Sequence, residues 1–242
     1  MKYILLSIEL LFLIACVHAQ EKSPRFKFGA KAGINLSFLT HDIGPFSQPD
    51  ETYSSFKRNP RPSANIGVTL NVQMPKKFNF GVELLFNTRG TTYIEENENV
   101  QEEDDEGVKR NARNYFNYNI DYLELPLTVN YNFKSELSNT YVTGYAGIAP
   151  ALAINHKTRL KYPKKDPDHH NQKADLPDVK SFNNNIISGI QLGERYGSMR
   201  ELYMDLRGSY TLAPVFKKSV NNQGESLYTH MYTFTLAFGI KF

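Results

Sequence analysis

The chain has 242 residues, 40% of them apolar and 22% charged, and a net charge of +3. That charge is too small to argue for a nucleic-acid partner, and no segment after the first 19 residues offers the roughly 20 apolar residues of a spanning helix. Aromatic residues reach 13%, which argues against disorder, and the length suits one all-β domain.

Residues 1–19 read as a signal peptide. Lys2 is its charged start, Tyr3 to Val17 are mostly apolar with Glu9 interrupting, and Val17-His18-Ala19-Gln20 offers small residues for cleavage after Ala19. A rival box, Leu13-Ile14-Ala15-Cys16, fits lipoprotein cleavage and would leave Cys16 lipidated. The first site fits better, because a strand pattern opens a few residues later. Residues 20–242 then form a single β-barrel domain without cysteine or disulfide.

Strand patterns follow one another from residue 25. In Arg25 to Leu39, Phe26, Phe28, Ala30, Ala32, Ile34, Leu36 and Phe38 share one face, and Lys27, Gly29, Lys31, Gly33, Asn35 and Ser37 share the other. The same period of two recurs in SANIGVTLNVQM, FNFGVELLFN, DYLELPLTVNYNF, ELYMDLRGSYTL and the closing YTFTLAFGIKF, with Leu85 breaking the rhythm of the second. TYVTGYAGIAPALAI is small and apolar on both faces, so its register stays open, and FNNNIISGIQLGERY alternates only from Ile186. Pro126 and Pro150 each remove a ladder donor and are expected to mark a bulge or a strand end.

These are eight strand candidates. Their connections alternate between long (40–62, 95–114, 157–181, 217–227) and short (75–77, 134–139, 194–200). That is the rhythm of an up-and-down transmembrane β-barrel with short periplasmic turns and long extracellular loops. The expected fold class is therefore all-β: an eight-stranded antiparallel barrel.

Alternation alone does not say which face is inside. A soluble barrel turns its apolar face inward, and a membrane barrel turns it to lipid. Here the polar faces are rich in Gly, Asn, Thr and Ser, with few charges, as a narrow closed interior requires. Lys27, Lys31, Glu83, Arg89, Glu124, Asp205, Arg207 and Lys241 include both signs and are expected to pair across the lumen. Turning Lys27 or Lys31 toward the bilayer midplane would cost about 2–4 kcal/mol each. Phe238, Ile240 and Phe242, at alternate positions of the closing strand, resemble the signal read by the barrel assembly machinery.

FKFGAKAGINLSFL, YLELPLTVNYNF and TFTLAFGIKF, with the VHAQ cleavage box, resemble the small outer-membrane β-barrel proteins of Bacteroidetes, often called PorT-like or porin-family proteins. The likeness covers essentially the whole mature chain, and the order and spacing of the motifs carry it. It implies an eight-stranded barrel in the outer membrane. It implies little about activity, although one namesake member is tied to a specialised secretion system.

Two segments stand out chemically. Eight of the twelve residues from Glu95 to Glu106 are acidic, which reads as a solvated loop or as a lure for a basic partner. Residues 157–173 are basic, through Lys157, Arg159, Lys161, Lys164, Lys165 and Lys173. They would suit lipopolysaccharide headgroups, a protein partner or the acidic segment itself. Asp168, His169 and His170 lack the spacing of a convergent metal site. His41, His156, His169, His170 and His230 lie in loops or at strand ends, and no Ser–His–acid set or catalytic motif is identifiable. The expectation is a non-catalytic barrel without cofactor, metal or nucleic-acid partner, serving surface interaction, envelope integrity or a secretion complex. The alternatives are a narrow small-solute channel, an outer-membrane lipid-modifying enzyme, and a lipidated or secreted soluble barrel.

Overall fold

The structure is a computed structural model that describes residues 25–41, 57–74, 77–103, 107–133, 139–163, 170–176, 178–196, 200–217 and 228–242. The expected signal peptide, both cleavage boxes, residues 104–106 of the acidic segment, and Lys164, Lys165, Asp168 and His169 lie outside them.

Among the described residues all the regular structure is antiparallel β. Ten strands are formed: β1 (Arg25–Leu39), β2 (Lys57–Gln73), β3 (Phe78–Glu103), β4 (Lys109–Glu124), β5 (Leu127–Asn132), β6 (Thr140–Lys161), β7 (Gln172–Asp175), β8 (Phe182–Tyr196), β9 (Arg200–Thr211) and β10 (Met231–Lys241). Following the ladders from β1 through β2, β3, β4, β6, β8, β9 and β10 leads back to β1. The sheet closes on itself along that circuit.

β4 and β5 divide one wall position, since both pair with β3 on one side and β6 on the other. The break is at Leu125-Pro126, where proline has no N–H to give. Pro150 lies on β6 beside this break and stays inside its strand. Its carbonyl accepts the Leu125 N–H at 2.9 Å, and the Pro126 carbonyl accepts the Glu83 N–H at 3.0 Å. The two prolines thus share one local interruption.

Side-chain parity inverts the usual order of a folded protein. Phe28 is 64% exposed and Phe238 63%, while Asn35 and Asp205 are fully buried. The outward faces of β1, β9 and β10 carry Phe26, Ile34, Leu202, Leu206, Tyr232 and Phe234. Lys31, Ser37, Thr211, Thr233 and Thr235 point inward and are buried. The undecided register of β6 is now fixed: Tyr141, Thr143, Tyr145, Ala149 and Ala151 face in, and Ile148, Leu152 and Ile154 face out. Leu85 is an inward apolar residue among polar ones; it lies against Gly67, where a Cβ would strike it.

Three expected loops need correction. Residues 95–114 are largely strand: β3 continues to Glu103 and β4 begins at Lys109, forming a ribbon. Opposite charges face each other along it, Glu96 with Arg113, Glu102 with Arg110 and Glu103 with Lys109. Such pairs stabilise a ladder by about 0.2–1 kcal/mol each. The acidic run therefore meets the basic start of β4. Part of the expected basic loop is also strand, since Lys157, Arg159 and Lys161 belong to β6 and Lys173 to β7, which pairs with it. Finally, β2 begins at Lys57, and Lys57–Pro60 pair with β3 at Ile94 to Thr91.

The apolar core lies at the long-loop end of the sheet. Leu39, Tyr93, Ile120, Tyr122, Ala151, Leu176, Val179, Val215, Phe216 and Met231 form one buried cluster there. The segments after β7 and β9 are tied together by a Val179–Phe216 bridge and by hydrogen bonds from Lys180 N–H to the Val215 carbonyl and from Val215 N–H to the Thr229 carbonyl.

Candidate functional site: a layered polar interior

Charged and amide side chains fill the interior in three tiers. The middle tier draws on β1, β3, β6 and β9. Lys31 Nζ lies 2.8 Å from Glu83 and 2.9 Å from Asp205. Arg207 donates through Nη2 to both Glu83 oxygens at 2.9 Å and lies 3.3 Å from Asp205. Tyr145 donates to Asp205 at 2.6 Å and accepts from Arg207 Nε at 2.9 Å. Two cations and two carboxylates cancel, and every one of them is buried. Gly189 makes room for the ring: a Cβ there would sit 2.4 Å from the Tyr145 hydroxyl.

Toward the long-loop end, Arg89 meets Glu124 at 2.8 Å. Glu124 also accepts from Asn87 at 2.8 Å and Asn185 at 3.2 Å. Asn35 joins this tier, donating to Asn87 and accepting from Asn65 and Thr235. The tier is neutral as well.

Toward the short-turn end, Lys27 and Arg195 both pair with Glu201. Lys241 donates to the Gln191 amide oxygen at 2.9 Å, with its ammonium 4.5 Å from the Tyr203 ring centroid and 5.6 Å from that of Tyr141.

The eight charges read from the sequence thus separate. Lys31, Glu83, Asp205 and Arg207 come together; Arg89 and Glu124 form a second group; Lys27 and Lys241 sit at one end. Lys27 is half-buried, and the other seven are buried. Glu201, Arg195 and Tyr145 were missed. Parity held the signal for the first two, since Glu201 shares the face of Tyr203 and Asp205, and Arg195 that of Gln191. Phe238 and Phe242 are outward and exposed, with Ile240 half-buried between them.

His230 stacks on Tyr210 with Nδ1 2.8 Å from the Thr211 carbonyl oxygen, and His41 Nδ1 lies 3.0 Å from the Thr40 hydroxyl. Among the described residues, no group of three His, Cys, Asp or Glu is placed to hold a metal ion.

A closed antiparallel sheet with an apolar outside and an ion-paired inside defines a class of protein that lives in a bilayer. The sequence profile of the outer membrane protein β-barrel domain matches residues 18–217, and the chain belongs to that family. Membership implies an outer-membrane location. Similar solved structures include the outer membrane protein OprG from Pseudomonas aeruginosa, 10% identical, with a TM-score of 0.43 over 90% of this chain and 97% of that one. Neisserial surface protein A is 10% identical, with a TM-score of 0.40 over 91% and 100%. The outer membrane protease OmpT from Escherichia coli is 11% identical, with a TM-score of 0.37 over 93% and 99%. No curated protein matches the sequence.

Proposed function

We propose that the chain is a non-conducting, non-catalytic outer-membrane barrel that works as an interaction scaffold, alone or within an envelope or secretion complex. Counting β4 and β5 as one interrupted wall strand gives eight strands around the barrel, with β7 as an outer addition. An eight-stranded barrel is just wide enough for its own side chains. The observation that carries the reading is the filled interior: two neutral buried tiers beneath an apolar cluster at the long-loop mouth.

What such a barrel offers a partner is its long-loop side, where the β3–β4 ribbon continues beyond the apolar belt. A protein partner docks there, on the acidic segment 95–106, whose residues 95–103 belong to the ribbon, and on the basic edge of β6 and β7 within 157–173. Outer-membrane lipid and lipopolysaccharide surround the belt below. The outward alternation of Phe238, Ile240 and Phe242 supports their reading as the signal taken by the barrel assembly machinery during biogenesis.

Two experiments test this. Purified protein in planar bilayers is expected to show no discrete conductance steps; steady single-channel openings would replace the scaffold with the small-solute channel. Replacing residues 96–113 by a two-residue turn is expected to abolish co-purification of partner proteins from envelopes while the barrel still inserts. Unchanged co-purification would remove the ribbon from the account.

A further inference from the structure

The short-turn end of the lumen differs from the tiers above it. The side chains around this narrow vestibule include Lys27, Arg195, Lys241 and Glu201. Three cations thus share one carboxylate, and the imbalance is built into the register. Arg195 on β8, Glu201 on β9 and Lys241 on β10 lie directly opposite one another across neighbouring strands. Glu201 also takes Lys27 from β1, so its Oε1 faces both Lys27 and Arg195. Lys241 is 6% exposed, held by the neutral Gln191 amide and by two tyrosine faces. The nearest tier above is itself neutral, its two carboxylates paired with Lys31 and Arg207.

The facing wall is different in kind. Asn71, Gln73, Asn79, Asn130, Asn132 and Thr143 line it, neutral side chains that can donate. A concave site with excess positive charge on one side and amide N–H groups on the other attracts and orients an anion. We propose that this vestibule is a binding site for a small oxyanion of the phosphate or carboxylate type, entering from the short-turn side and held by Lys241 and Arg195. Such an anion completes a charge balance that Glu201 leaves short. The middle tier, whose charges already cancel, offers no comparable site.

The test uses the full chain folded in detergent, with inorganic phosphate as the probe, acetate as the carboxylate probe, and titration calorimetry at low ionic strength. Saturable one-to-one binding is expected. K241Q and R195Q are each expected to weaken it at least tenfold, while the ribbon variant R110Q leaves it unchanged. E201Q is expected to act in the opposite sense and tighten binding, which simple loss of structure cannot do. The shift in gel mobility between unheated and boiled samples reports that each variant is folded. Phosphate that binds without saturation, or equally to the parent, K241Q and E201Q, would overturn the proposal. Binding of acetate but not phosphate would keep the site and narrow the ligand to carboxylates.

Discussion

Asp205 and Leu206 are consecutive residues of β9, yet they sit in opposite media. Asp205 is fully buried, with Lys31, Arg207 and Tyr145 against its two oxygens. Leu206 is 45% exposed on the outer wall, in line with Ile190 of β8 and Leu236 of β10. A soluble protein would have them exchanged. The difference shows that hydrophobic burial does not hold the charged middle of this fold together; the buried apolar cluster lies at the long-loop end. The interior is held by geometry, through charges that cancel and amides such as Asn87 and Asn185 that donate to them, and the bilayer supplies the apolar environment that the outer wall lacks. The outward run from Tyr232 to Phe242 also has the length of about 9–11 residues that a tilted strand needs to cross.

That contrast can be broken from either side. The largest effect is expected from D205A, which leaves Lys31 and Arg207 short of a carboxylate in a buried tier. Loss of one partner from a buried ionic group costs about 3–5 kcal/mol, read as a lower urea midpoint for the folded, fast-migrating form in vesicles. Next comes L206K, which puts a charge on the outer wall near the middle of the strand. It is expected to cost about 2–4 kcal/mol in a bilayer and much less in a detergent micelle, where the head group finds water more readily. A cost equal in both media would deny that this face meets lipid.

The smallest effect is expected at the ribbon. E103K faces Lys109 directly, and a like-charge cross-strand pair costs at most about 1 kcal/mol. It should fray the tip, seen as faster amide exchange at 101–111, without moving the urea midpoint of the barrel. Salt sharpens the same contrast. At 1 M the Debye length is about 3 Å, so the ribbon pairs weaken while the buried tiers hold.

Much of this arrangement was legible in the sequence. Strict alternation in β1, β9 and β10 named both faces residue by residue, and the polar face already held both signs of charge. What escaped notice did so for physical reasons. The outer parts of β3 and β4 are strand because opposite charges and backbone ladders pair them, and neither leaves an apolar period. β6 carries Gly and Ala on both faces, so its register is set by neighbours, with Tyr145 lying over Gly189 of β8. The apolar cap is drawn from irregular segments such as Leu176, Val179, Val215 and Phe216, which have no period to read. The division of the lumen charges into tiers depends on the stagger between strands. One strand's sequence does not contain that stagger, so the expected pairing of inward charges across the lumen does not by itself match Glu83 on β3 to Lys31 on β1.

The central claim is that alternate residues of one strand face lipid and a filled polar interior. Its most direct measurement is a scan of single cysteines through β10 in a Cys16→Ser background, labelled with a spin probe after reconstitution in vesicles. Labels at 234, 236 and 238 are expected to relax strongly with oxygen and weakly with a water-soluble nickel reagent. Labels at 233, 235 and 237 are expected to be protected from both. The opposite phase, with 233, 235 and 237 open to lipid, or uniform accessibility along the strand, would contradict the account.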